Sequence, residues 1–191
     1  MKSGVRALGI AESHHGDRGR STLAGAVVRA DRVCDGLVYS SCRLGGTDAT
    51  DAVIDVLDDL ERPDVRYVLL GAVAPAWYNL LDLSRISETA DRPVIAVTFE
   101  ASDGLTAALR DAFSGDELET RLETYRALPD RHALSVNDET VYVRAVGLEP
   151  DEADEIVRAF TPAGGRPEPI RVARLAARAA DSYAQSGAHS E

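Results

Sequence analysis

The chain has 191 residues, enough to bury one core without disulfides or structural metal, so a single domain over 1–183 with a frayed tail at 184–191 is expected. Its 32 acidic residues against 21 basic ones give a net charge of −11, and Lys2 is the only lysine, an acidic and lysine-poor balance that points to a halophilic source. No apolar run reaches the roughly 18 residues of a membrane span and no signal-peptide core opens the chain, so a cytoplasmic protein is expected; Cys34 and Cys42 form no C-x-x-C pair, which argues against zinc and for two reduced thiols.

In chain order, residues 5–10, 22–29 and 33–43 are β-branched or alternating runs separated by turn-prone links at 14–20 and 30–32, which predicts an antiparallel meander. Thr47 is expected to cap a helix over 48–60, where Ala49, Val53, Ile54 and Leu57 share one face. The runs 66–70 and 93–99 have the near-continuous apolarity of buried parallel strands, with a helical crossover over 79–90 between them. Helical patterns follow at 103–113 and 116–127, and 140–146 alternates like a strand. Glu149 opens a helix to 160 whose acids suit its positive end, and after a Pro/Gly-rich link Pro169 starts a last helix to 183. Pattern alone therefore predicts a mixed α/β domain.

In a sheet with parallel crossovers, ligands gather at the carboxyl ends of the strands. Two mouths are candidates: residues 11–15 and the segment after Leu70. Glu12 stands at the first, although a one-residue step on a strand turns a side chain to the other face. Asp48 reads either as a metal ligand or as the negative first-turn residue of its helix, and Asp82 as a helix-surface acid. His14 and His15 could bind metal or shuttle protons, or simply be solvated. Trp77 could stack on an extruded base while Asn79 reads a base edge; the alternative is an aromatic closing the core beneath the loop. Arg171, Arg174 and Arg178 share a face of the last helix and could hold phosphates, or pair with surface carboxylates. Because phosphate contacts weaken steeply with salt, nucleic-acid binding by such a chain must lean on stacking and close hydrogen bonds.

Four strings carry a resemblance: Gly4-Val5-Arg6-Ala7-Leu8-Gly9-Ile10, Gly45-Gly46-Thr47-Asp48-Ala49-Thr50, Ala76-Trp77-Tyr78-Asn79-Leu80-Leu81-Asp82-Leu83 and Pro167-Glu168-Pro169-Ile170-Arg171-Val172-Ala173-Arg174. They span nearly the whole chain, which resembles the archaeal domain of unknown function 99 family, itself similar to endonuclease V. The resemblance implies a ribonuclease H-like mixed sheet flanked by helices, and an endonuclease using Mg²⁺ or Mn²⁺ on DNA with deaminated bases such as deoxyuridine. Hydrolysis with two metals needs carboxylates holding ions about 4 Å apart. The resemblance would place an Asp at Ala11, an acid at Asp48 and an Asp at Gly71, and a His where Arg174 stands; only Asp48 is present, so Asp48 and Glu12 are the candidate catalytic and metal-binding residues of a depleted site. Trp77, Asn79, Arg171 and Arg174 are the candidate nucleic-acid contacts. Two other classes fit the missing acids: a non-catalytic nucleic-acid-binding or assembly protein that kept the fold, and a small-molecule or regulatory domain using the vacated crevice.

Overall fold

Leu8 and Ile10 project from one face of the first strand while Ala7, Gly9 and Ala11 occupy the other, and this division into large and small side chains decides how the sheet is covered. The computed structural model describes residues 1–15 and 19–188. Its strands are β1 (Arg6–Ser13), β2 (Arg20–Arg29), β3 (Cys34–Arg43), β4 (Val65–Leu70), β5 (Val94–Thr98), β6 (His132–Val136) and β7 (Glu139–Val146). Its helical segments are α1 (Ala49–Leu60), the one-turn α2 (Pro75–Tyr78), α3 (Leu83–Ala90), α4 (Thr106–Ala112), α5 (Gly115–Arg126), α6 (Pro150–Ala159) and α7 (Glu168–Ala188). The strands form one sheet in the order β3-β2-β1-β4-β5-β7-β6. β1, β2 and β3 pair antiparallel, β4 lies parallel on the other side of β1, β5 runs parallel to β4, and the β6–β7 hairpin closes the far edge antiparallel. The predicted meander and parallel pair are present, and the architecture is ribonuclease H-like.

One face of the sheet is covered by α1 and α3, where Val53, Val56, Leu57 and Ile86 pack on Leu8, Ile10, Val27 and Leu70. The other carries α6 and α7, with Ile156, Val157, Phe160 and Ile170 over Leu69, Ile95, Val97 and Val143. The small residues of β1 and β2 let α7 come to backbone contact: Ala26 and Val28 meet Ala173, and a Cβ at Gly9 would overlap the Pro169 carbonyl. The start of α7 is thereby set above the carboxyl end of β1.

Several elements differ from expectation. Thr47 does not cap α1; Asp48 occupies the cap position without a side-chain bond to its own helix, and the first N–H, that of Ala49, is taken by the Asn79 side chain at 2.9 Å. The crossover helix begins at Leu83, not at 79, because Asp82 is an N-cap whose carboxylate accepts the Arg85 N–H at 3.0 Å, a local role in place of the plain surface acid expected of it. Strand β6 is an element the pattern did not predict; it pairs with β7 through the two-residue turn Asn137-Asp138, with Asn137 left-handed. Helix α7 runs to Ala188, five residues beyond its predicted end, because Asp181 and Gln185 grip the loop after β1, the latter donating to the His15 carbonyl at 2.5 Å. Residues 16–18 of the predicted first link and 189–191 of the predicted tail lie outside the described residues.

Candidate functional site

The carboxyl ends of β1, β4 and β5 open side by side at Ala11-Glu12, Gly71-Ala72 and Phe99-Glu100. Ile170 and Arg174 of α7 and Arg166 of the preceding link overhang them. Two cavities result, of about 210 and 400 Å³, and they share Gly71, Ala72, Phe99, Arg166 and Arg174, so they form one crevice. The inner part is mostly apolar, walled by Ile10, Leu23, Leu70, Leu81 and Ile170. The outer part is walled by Tyr125, Arg131 and Arg144, with Glu100 exposed beside them.

Of the three positions at which the resemblance implies acids, two carry no carboxylate. Ala11 ends in a methyl, and a Cβ at Gly71 would stand 2.9 Å from Cγ2 of Ile170, so an aspartate there would displace the α7 side chain. Glu12 does reach the crevice, since it lines the inner cavity, and its carboxylate accepts the Ser21 hydroxyl hydrogen from the neighbouring strand. Asp48 lies outside that lining. Its two oxygens accept the Arg43 N–H at 3.0 and 3.3 Å, and one also accepts the Asn79 amide at 2.8 Å. Partial burial works to raise the Asp48 pKa, but the hydrogen bonds from Asn79 and from the backbone, with the charge of Arg43, outweigh it and hold the carboxyl below its usual range. Among the described residues no group of three or more His, Cys, Asp or Glu side chains is placed to hold a metal ion. A paired-metal site does not fit this donor set, and no step through a metal follows from it.

Asp48 and Glu12 both act on Cys42, which is fully buried in β3. Burial first, then these two negative charges, push its thiol up to about 12. Because only the thiolate is nucleophilic, Cys42 should stay silent to an aromatic disulfide reagent at pH 8 while the exposed Cys34 reacts. Release of two equivalents from the native protein, against the expected one with the second appearing on unfolding, would contradict the burial of Cys42.

Asn79 and Trp77, adjacent in the sequence motif, do different things. Asn79 is fully buried, donating to the Arg43 carbonyl at 3.0 Å and to Asp48 while accepting from Ala49. Both its amide hydrogens are spent within the protein, so a base edge has no donor to meet there, and the residue ties the β3–α1 loop to α2. Trp77 is 57% exposed and does not close the core; the buried residues of that turn are Pro75 and Ala76. Its indole lies over Gly45, where a Cβ would stand 2.6 Å from the ring, and it leans on Phe113 and Tyr78 with centroids 5.3 and 5.8 Å apart. Ala76, Trp77 and Tyr78 all hold left-handed backbone, with φ of 49, 58 and 61°. Such residues persist only where the surroundings over-determine them. Here the surroundings are the Gly45 N–H to Ala76 carbonyl bond at 2.8 Å and the buried Arg121, which stacks on Phe113 and donates to the carbonyls of Gly45 and Gly46.

The remaining predicted residues divide similarly. His14 is exposed, whereas Nδ1 of His15 faces the buried Asp181 carboxylate at 2.7 Å, with the Ser13 hydroxyl 3.5 Å from both. Serine and acid thus converge on one ring nitrogen, whereas a relay needs one at each, so the trio locks β1 to α7 and is not a nucleophilic triad. Arg171 is paired with Glu168 at 2.5 and 2.6 Å, Arg178 is exposed, and Arg174 alone of the three lines the crevice. Sequence reasoning missed Arg131, Arg144 and Arg166. They come from three separate elements, and no local spacing joins them before the β6–β7 hairpin and the link to α7 fold over β5.

The family model described as Endonuclease dU matches residues 3–181. A UPF0215 protein of Pyrobaculum calidifontis is 32% identical over 92% of this chain and 97% of its own, and one from Thermococcus gammatolerans is 33% identical over 84% of this chain and 82% of its own. A protein of unknown function from Archaeoglobus fulgidus superposes with a TM-score of 0.80 at 27% identity, over 92% of this chain and 97% of that one. Human ENDOV superposes at 0.66 with 13% identity, covering 95% of this chain and 86% of its own, a likeness of fold alone. Among the described residues no helix is long and apolar enough to cross a membrane. With the match running through all but the ends of the chain, the protein belongs to the Endonuclease dU family.

Proposed function

We propose that the protein is an endonuclease V-like nucleic-acid-processing protein that takes DNA carrying a deaminated base such as deoxyuridine into the crevice at the ends of β1, β4 and β5. The observation that carries this reading is the loop from Gly71 to Asn79, which walls that crevice and presents Trp77 to solvent on a strained turn. The family description names the lesion, and the endonuclease V of Ciona intestinalis, which shares the fold at a TM-score of 0.60 and 14% identity over 91% of this chain and 84% of its own, has been crystallised with an inosine-containing DNA. In this reading Trp77 stacks on an unpaired base, Arg174 faces the strand inside the crevice, and Glu12 is the acid nearest the reacting position, with Asp48 shaping the adjoining loop. The charge balance supports a halophilic setting. One observation favours a second reading, binding without cleavage: Ala11 and Gly71 bring no carboxylate to the crevice for Mg²⁺ or Mn²⁺, and Ile170 stands 2.9 Å from where a Cβ at Gly71 would lie.

Purified protein incubated with duplexes containing deoxyuridine or deoxyinosine, with Mg²⁺ or Mn²⁺ at high KCl, separates the two. Cleavage beside the lesion supports the nuclease, and lesion-selective binding without cleavage under either metal supports the binder. Equal affinity for thymidine-containing duplex overturns both. Trp77→Ala should weaken lesion binding by about 1 to 3 kcal/mol, the contribution of one stacked base. The thermal midpoint should fall far less than for a fully buried aromatic, whose truncation costs about 3 to 5 kcal/mol.

A further inference from the structure

Four guanidiniums converge on the outer crevice of a chain whose net charge is −11: Arg131, Arg144, Arg166 and Arg174. Arg166 lies over the Phe99 ring at 4.0 Å and Arg131 over Tyr142 at 4.0 Å, while Arg144 faces Tyr125 at 5.9 Å. A guanidinium stacked on a ring has its plane fixed and its N–H edge left free for a planar acceptor, the geometry that suits a bidentate phosphate contact. The protein leaves these edges largely unused. Among the described residues the guanidiniums of Arg131, Arg166 and Arg174 make no ion pair and no hydrogen bond to a protein acceptor, and Nε of Arg166 is buried without a partner. Arg144 is the exception, donating to the Pro129 carbonyl and to the Tyr125 hydroxyl.

The nearby acids do not neutralise the cluster. Glu100 is exposed on the rim, Glu12 is turned to Ser21, and Glu139 and Asp130 act on Arg166 and Arg144 from beyond ion-pair distance. Burial, and then the like charges of Arg174 and Arg178, push the Arg166 guanidinium below its ordinary pKa, and burial with Arg131 does the same to Arg144. Mutually repelling, partly desolvated cations that forgo the abundant carboxylates of this surface are arranged for an anion from outside.

We propose that the outer crevice is a phosphoryl-anion site, in which Arg131, Arg144, Arg166 and Arg174 bind the phosphate group of a nucleotide or of a nucleic-acid strand directly. This deepens the nucleic-acid reading and rests on it only for the identity of the larger ligand. Tyr125 adds a hydroxyl at the wall, its oxygen already accepting the Leu105 N–H at 3.1 Å. The shared recognition chemistry is a tetrahedral oxyanion, and an adjoining cavity of about 210 Å³ can take the group esterified to it.

The test is calorimetric titration at one fixed KCl concentration with inorganic phosphate and, separately, with a uracil-free single-stranded oligonucleotide lacking terminal phosphates. Saturable binding of inorganic phosphate assigns a free or terminal phosphate, and binding of the oligonucleotide alone assigns a backbone phosphodiester; each supports the site if it depends on the arginines. Arg166→Ala should weaken the binding by about tenfold or more, the loss of one charge-assisted bidentate contact, and Arg131→Ala at the half-exposed wall should do so by at least about threefold. Arg166→Ala should leave the thermal midpoint level or higher, since it removes a repelled cation and an unsatisfied buried nitrogen; a purely packing role on Phe99 predicts a lower midpoint with unchanged affinity. No saturable binding of either probe, or binding that both variants retain, overturns the proposal. Because neither probe carries a deaminated base, that failure is distinct from loss of selectivity for deoxyuridine.

Discussion

Gly9→Ala should lower the thermal midpoint by roughly 6 to 12 °C, the shift that a loss of about 3 kcal/mol produces in a domain of this size. The added methyl would meet the Pro169 carbonyl group and the Ile170 nitrogen, which are backbone atoms of α7 and not the far end of a side chain that could rotate away. Overpacking against backbone is relieved only by moving the helix. Helix α7 is the element that sets Ile170 over Gly71 and Arg174 over the crevice, so the same substitution should also weaken phosphate binding. Gly4→Ala is the control, because a Cβ there meets nothing within 4 Å and the midpoint should not move. A Gly9→Ala protein that melts within about 2 °C of wild type, less than 1 kcal/mol by the same scaling, would show that α7 does not sit on β1 as described.

That close approach also shows which parts of the molecule were legible in the sequence. Periodicity suffices where one element buries one face, as in the alternating β1, β2 and β3 or the apolar β4 and β5. It fails where a residue's partner is distant along the chain. His132-Ala133-Leu134-Ser135-Val136 is short and half-exposed, and only its pairing with β7 makes it a strand. Asp48 looked like a helix-capping or metal-binding acid because nothing local reveals that Arg43 and Asn79 surround it. Trp77 was legible as an aromatic beside a strand end, but its exposure depends on three left-handed residues that no propensity scale anticipates. The absence of acids at positions 11 and 71 could be read directly from the family pattern. That arginines from three other elements face the same crevice could not, since their proximity is created by the sheet order β5-β7-β6 and the link into α7.

The second large effect is expected at Asn79. Asn79→Ala leaves the buried first N–H of α1 without its partner and removes one hydrogen bond each from the Arg43 carbonyl, which keeps the Gly46 N–H, and from an Asp48 oxygen, which keeps the Arg43 N–H. A buried polar group left unpaired costs about 1 to 3 kcal/mol and each of the two other lost hydrogen bonds about 0.5 to 1.5 kcal/mol, so a loss of at least about 2 kcal/mol is expected by chemical denaturation, with the midpoint displaced and the slope unchanged. Asn79→Asp separates hydrogen bonding from charge. Its oxygen can still accept from Ala49, but the atom now facing Asp48 at 2.8 Å is a second carboxylate oxygen in place of a donor. Two carboxylates at that distance cannot both ionise cheaply, so the pair must take up a proton at a pH above the ordinary carboxylate range. A folded-state pKa raised above the unfolded value contributes stability that is present at low pH and lost as pH rises through it. The Asp variant should therefore approach wild-type stability under mildly acidic conditions and fall away from it toward neutrality, whereas the Ala variant should be deficient at both. If Asn79 instead served to read a base edge, both variants would melt like wild type and lose only their discrimination between deoxyuridine and thymidine, and that pattern would overturn the structural role assigned to it.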